Sequence, residues 1–172
     1  SAPGDPASWE QRLTGLGLMT AGQQGLAVCS MAGLVLFGHS PRRSLRQAGV
    51  RWMSFAGNDM DYQAQDDTVI DAPLVALWKG RPGSGRSVVA DGLIERLRPF
   101  VTTQAASINA QLRRDTQHRY PLDAVREALL NALVHRDWTR ATEVEVVNYV
   151  DRLEITSPGA LQNSMTLEKM LA

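Results

Sequence analysis

The 172-residue chain carries 18 Lys plus Arg against 18 Asp plus Glu, with 44% hydrophobic and 21% charged residues. Such a composition argues against wholesale disorder, and zero net charge argues against a duplex-DNA module, which needs a basic excess to displace counterions. A single cysteine, Cys29, excludes an internal disulfide framework and a multi-cysteine zinc site, and the longest apolar stretch, Ala27 to Phe37, reaches about half of a membrane span.

The opening Ser1-Ala2-Pro3-Gly4 lacks the basic-then-apolar order of a secretory signal. A cytoplasmic protein without membrane contact is expected, and the absence of an initial Met suggests a piece of a longer chain. Ser8 to Leu16 reads as a short helix capped by Ser8. Leu26 to Phe37 is apolar up to Gly38, which suits a buried strand, or a tight strand pair broken at Gly33. Pro41 to Gln47 offers a helical turn begun by a proline, and Val50 to Phe55 alternates as a strand. Arg42, Arg43, Arg46 and Arg51 form a basic stretch, followed by acidic Asp59, Asp61, Asp66, Asp67 and Asp71. Two solvated faces turned toward each other explain these runs, and an arginine cluster for phosphate is the sharper alternative.

Val69 to Trp78 is apolar again. Lys79 to Arg86 is a Gly/Pro/Ser loop, and Asp91 to Gln111 looks helical, with an interruption near Pro99. The clearest order comes last: a helix over Pro121 to Arg136, a strand over Glu143 to Val150, a turn at Asp151-Arg152, a strand over Leu153 to Thr156, and a Ser157-Pro158-Gly159 loop. Val144, Val146 and Val150 should share one face of the first strand. Together these elements predict an α+β fold, a mixed or antiparallel sheet with packed helices.

Within the last helix, Glu127, Asn131 and His135 are spaced four apart. Each step of four turns the helix by about 40°, so the three form one slowly winding polar stripe. Leu122, Val125, Leu129 and Leu133 fall opposite as the core seam, and Ala124 and Ala128 leave room beside the stripe. A carboxylate one turn before an amide suits a hydrated divalent cation. An ordinary amphipathic helix with a polar outer face explains the same pattern.

The segment Tyr120 to Trp138, YPLDAVREALLNALVHRDW, resembles a signature block of the RecG-like, helicase-related transcriptional regulators of bacteria and archaea. Residues 150–159, VDRLEITSPG, are similar to that family's next block, and Ala32 to Gly38 with Pro41 to an upstream one. The resemblance implies a divergent GHKL (Bergerat-type) ATP-binding region, with residues 116–172 as its N-box half. Residues 1–115 would be an α/β region leading from an AlbA-type domain. It further implies Glu127 as a general base that orients water, Asn131 as a Mg²⁺ ligand, His135 and Ser157 beside the nucleotide, and Gly159 in the loop near adenine. ATP and Mg²⁺ are then the expected cofactors. DNA would be contacted through domains outside this piece, and a homodimer is a further expectation. Ser157 stands where a GHKL domain has an adenine-binding Asp, and Ala160 and Leu161 stand where a second glycine is expected. With the lid and later glycine box also beyond it, the piece alone is not expected to hydrolyse ATP.

Two other readings stay open. The chain can be a structural or dimerising module that kept the fold without the nucleotide. Alternatively, Gly80 to Ser87 fits the phosphate-loop spacing GxxxxGK(S/T) except for Arg86 in place of Lys. His39, His118, His135 and Cys29 show no metal-ligand spacing, and Trp9, Trp52, Trp78 and Trp138 read as core or interface residues.

Overall fold

The computed structural model of the protein describes residues 4–75, 89–108 and 114–160. The fold is α+β. Its centre is a four-stranded mixed sheet in the order β4-β3-β7-β8, built from β3 (Val50–Ser54), β4 (Asp66–Ile70), β7 (Val144–Asn148) and β8 (Leu153–Thr156). β3 runs parallel to β7, with Val50 opposite Val144 and Ser54 opposite Asn148. The β3–β4 and β7–β8 pairs are antiparallel. A parallel pair needs a long crossover, and here it contains β4, α3 (Val89–Val101), the hairpin of β5 (Thr102–Ile108) and β6 (Arg114–His118), and α4 (Leu122–Val134). The sheet therefore draws strands from both sides of residue 116.

Strand alternation sorts the side chains into two faces. Val50, Trp52, Ile70, Val144 and Val146 turn toward α3 and α4 and form the main core with Leu93, Leu97, Leu129 and Leu133. Leu129 and Leu133 are fully buried and Val125 nearly so, as the seam arithmetic requires. Met53, Phe55, Val147 and Tyr149 form a second, smaller cluster on the opposite face, partly covered by Ala64 of the β3–β4 loop. On that face Arg51 of β3 pairs with Asp67 of β4 at 2.9 Å, and Arg42 pairs with Glu143. Thus the basic and acidic runs do meet in part.

Ahead of the sheet lie α1 (Pro6–Gly15), a small hairpin of β1 (Met19–Ala21) and β2 (Ala27–Cys29), and α2 (Met31–Phe37). Short 3-10 turns follow at Pro41–Arg43 and Arg46–Ala48. Several expectations are corrected here. Asp5, not Ser8, caps α1: it accepts the Ser8 backbone N–H at 2.9 Å, and Pro6 occupies the first turn, where a missing donor costs nothing. The strand expected over Leu26 to Phe37 stops at Cys29. Ser30 then caps a helix by accepting the Gly33 N–H at 3.1 Å. α3 ends at Val101, because β-branched Val101-Thr102-Thr103 favours the strand that follows. β7 ends at Asn148, so Val150 does not share the face of Val144 and Val146 but is exposed. Residues 76–88, including the Gly80 to Ser87 motif and Trp78, lie outside the described residues.

Gly33 explains one glycine of the upstream block. A Cβ at this position would stand 2.1 Å from the Leu18 carbonyl oxygen, whose backbone accepts the Ser30 N–H. Neither partner can give way without breaking the contact between β1 and α2. Gly33→Ala should therefore destabilise the protein by about 2 kcal/mol or more. Urea unfolding, with hydrogen exchange at the Ser30 amide as a local readout, measures the effect, and a loss below 0.5 kcal/mol would rule out the tight approach.

Candidate functional site

α4 starts after Pro121, whose fixed φ suits a helix entry, and ends at His135, whose N–H donates to the Asn131 carbonyl at 3.0 Å. Because the seam of Val125, Leu129 and Leu133 binds the sheet, the opposite stripe must face outward. Glu127, Asn131 and His135 are all exposed. Asn131 Nδ2 donates to Glu127 Oε1 at 3.4 Å, a long bond across one turn. It directs the amide nitrogen to the carboxylate, and the Asn131 Oδ1 keeps its lone pairs for another partner. Ala124 and Ala128 are exposed beside them.

The loop after β8 docks on the C-terminal end of the same helix. Ser157 Oγ donates to the Ala132 carbonyl at 2.7 Å, satisfying a carbonyl that the helix end leaves without an internal partner. The Asp137 N–H donates to the Pro158 carbonyl at 2.8 Å. Gly159 has φ +137°, and a Cβ there would lie 3.2 Å from the Asp137 nitrogen, so both conformation and closeness ask for glycine. Ser157 and Gly159 thus sit at the helix end that carries Asn131 and His135.

The residues between helix and strand act structurally. Arg136 is 5% exposed. Its guanidinium donates to the carbonyls of Gln47, at 2.6 Å, and of Thr142, and packs over the Trp138 ring at 4.7 Å. Burial lowers its pKa from the ordinary arginine value, against the pull of Asp137 and Glu143. The Asp137 carboxylate accepts from the Thr139 hydroxyl at 2.6 Å and from its N–H at 3.0 Å, which holds its pKa below the ordinary value. In the next block, Arg152 lies 4.0 Å from the Tyr149 ring centroid and donates to the Asn58 carbonyl at 2.7 Å. Sequence reasoning did not assign a role to these arginines, because Arg136 stands between His135 and Asp137 just past the helix and Arg152 follows Asp151 in a turn, where charged residues are ordinary. Ser54 and Asn148, buried opposite each other and bonded at 3.0 Å, were missed as well.

Another feature lies away from α4. A cleft of about 470 Å³ runs between β4 and α3. At its edge Asp66 accepts from Trp52 Nε1 at 2.9 Å, from the Thr68 hydroxyl at 2.8 Å and from Arg96 at 3.1 Å. Burial pushes the Asp66 pKa up, but the bonds from Thr68, Arg96 and Trp52 outweigh it and leave the pKa lowered. Among the described residues, no three His, Cys, Asp or Glu side chains gather as a metal site. No helix among them is long and apolar enough to cross a membrane.

No protein-family model matches the chain, and no curated protein matches it. Among solved structures, the fold is similar to the DIP2311 protein from Corynebacterium diphtheriae, with 24% identity and a TM-score of 0.61. The match covers 97% of this chain and 30% of that protein, so the chain spans less than a third of that protein's length and the likeness is one of fold.

Proposed function

We propose that this chain is the nucleotide-binding part of a cytoplasmic bacterial transcriptional regulator of the RecG-like kind, with α4 as a divergent GHKL N-box helix. The observation that carries the reading is the exposed Glu127–Asn131 pair, 3.4 Å apart, on the helix that also anchors the Ser157 to Gly159 loop. Asn131 Oδ1 and the Glu127 carboxylate are oxygen donors, the type Mg²⁺ takes. With no all-protein cage among the described residues, the ion would keep waters and use the phosphates as remaining ligands. Bound there, Mg²⁺ would neutralise phosphate charge. Because the Ser157 hydroxyl hydrogen is committed to Ala132, the side chain faces a ligand as an acceptor. That is the polarity an adenine amino group needs, though weaker than a carboxylate. DNA contact belongs in this reading to other domains of the longer regulator.

A module that kept the fold without the nucleotide is the second reading. It is favoured by Ser157 in place of an Asp and by its role as a helix-end donor. Fluorescent ATP titrated with and without Mg²⁺ into the full-length protein separates the two. The nucleotide reading expects Mg²⁺-dependent binding that Asn131→Ala abolishes while stability changes by under about 1 kcal/mol, since only an exposed group is removed. Arg86→Ala should leave affinity unchanged, and a tenfold loss would favour the phosphate-loop reading. No binding by the unaltered protein would leave the structural module.

A further inference from the structure

β4 is the outer strand of the sheet, and its hydrogen-bonding pattern follows from its neighbours. The Phe55 N–H donates to the Asn148 carbonyl at 2.9 Å. In a parallel ladder with Ser54 opposite Asn148, this means that the backbones of Arg51, Met53 and Phe55 face β7. Those of Val50, Trp52 and Ser54 face β4, and their register partners Ile70, Thr68 and Asp66 face them in return. The N–H and C=O groups of Asp67 and Val69 therefore point away from the sheet. Among the described residues no strand pairs with them.

The cleft of about 470 Å³ lies along this free edge. Its floor is the Thr68 to Pro73 stretch, α3 contributes Gly92, Glu95 and Arg96, and His39 closes one side. Gly92 presents no side chain, which sets the helix wall back. A row of outward backbone donors and acceptors inside a groove is complementary to another extended backbone. Charge selects the occupant. Arg96 is paired with Asp66 and Asp67 with Arg51. Asp71 receives the Arg42 backbone N–H at 3.2 Å, and Glu95 forms no ion pair among the described residues. Among the described lining residues the unneutralised charge is therefore acidic. A second copy pairing antiparallel through β4 about Val69 would set Asp71 beside Asp67, whose charge Arg51 already answers, and would offer Asp71 no cation, so self-association is not favoured.

We infer that the β4–α3 cleft binds a short, extended, basic segment of another protein, added to β4 as a fifth strand. The inference is independent of the nucleotide reading, since α4 contributes nothing to the cleft. The test uses a fluorescent peptide of sequence VTKRVT, which places one basic side chain on each face of an added strand, and anisotropy with the purified protein. Saturable binding is expected. It should weaken at least fivefold for VTEEVT, for VTKRVT with alternate backbone nitrogens methylated, and for Val69→Pro. That substitution removes an outward N–H without touching the β3 ladder. If Val69→Pro fails to fold, Gly92→Leu fills the cleft from the helix side and should weaken binding equally. No saturation with VTKRVT at millimolar concentration, equal binding of VTEEVT, or indifference to backbone methylation would each overturn the proposal.

Discussion

Arg136→Ala should destabilise the protein by about 3 to 5 kcal/mol, a large share of what a marginally stable domain possesses. The guanidinium is the one buried charged side chain among the described residues, and it bridges the turn before β3, through the Gln47 carbonyl, to the loop before β7, through the Thr142 carbonyl. Truncation leaves both carbonyls without a donor and removes the planar contact with Trp138. Arg136→Lys should recover part of the loss, because an ammonium can reach one carbonyl but cannot form the fork or stack as a plane. Arg136→Met, which keeps apolar volume and removes the donors, should resemble Ala. Urea midpoints at constant m-value measure all three. A loss below 1 kcal/mol for Ala would mean that the 137–143 loop is held by other contacts. The contrast with Asn131 is the useful one. On the proposed nucleotide reading, Arg136 variants should lower stability while any folded fraction keeps the affinity of the unaltered protein for nucleotide, and Asn131→Ala should do the reverse.

That contrast also marks what sequence could reveal. The α4 seam was legible because Val125, Leu129 and Leu133 recur at helical spacing, and the period fixes which residues face out. β8 was legible at its observed bounds and β7 from β-branched alternation, but the expected strand ran two residues past Asn148, and the turn expected at Asp151-Arg152 centres on Val150-Asp151. The run from Ala27 to Phe37 was not, since a short apolar stretch has no period to separate strand from helix. Ser30, one residue before the helix, was the cap that would have decided it. Asp5-Pro6 was likewise a clearer start signal than Ser8. The parallel pairing of β3 with β7, almost a hundred residues apart, had no local trace, because register between distant strands is set by burial and crossover geometry rather than by either strand alone. For the site, the sequence placed Glu127 and Asn131 on one exposed stripe. It could not show that Ser157 is held as a helix-end donor, which depends on a contact spanning 25 positions.

Trp52→Ala should cost about 3 to 5 kcal/mol, and its pH dependence should expose the partner. Trp52 is fully buried between α3, α4 and the sheet, and its ring centroid lies 5.9 Å from that of Phe100. Deleting it leaves a large cavity in the main core. Trp52→Phe separates packing from hydrogen bonding, since most of the ring volume stays and the Nε1 donor to Asp66 goes. Its cost should be nearer 1.5 to 3 kcal/mol, about that of a bond to a charged acceptor. Asp66 has a lowered folded-state pKa, so the stability it contributes is complete above the unfolded value near pH 4 and fades as pH falls through the folded value. Removing the indole donor takes away one of the bonds that lower that pKa. The acid-side fall in stability should therefore begin at the same unfolded value but be smaller, and end at a higher pH, in Trp52→Phe than in the unaltered protein. Asp66→Asn should flatten the same limb, because Arg96 then faces a neutral amide at every pH. Parallel pH profiles for the unaltered protein and Trp52→Phe would mean that the indole stabilises the core by packing alone. The Asp66 pKa would then be set by Thr68 and Arg96.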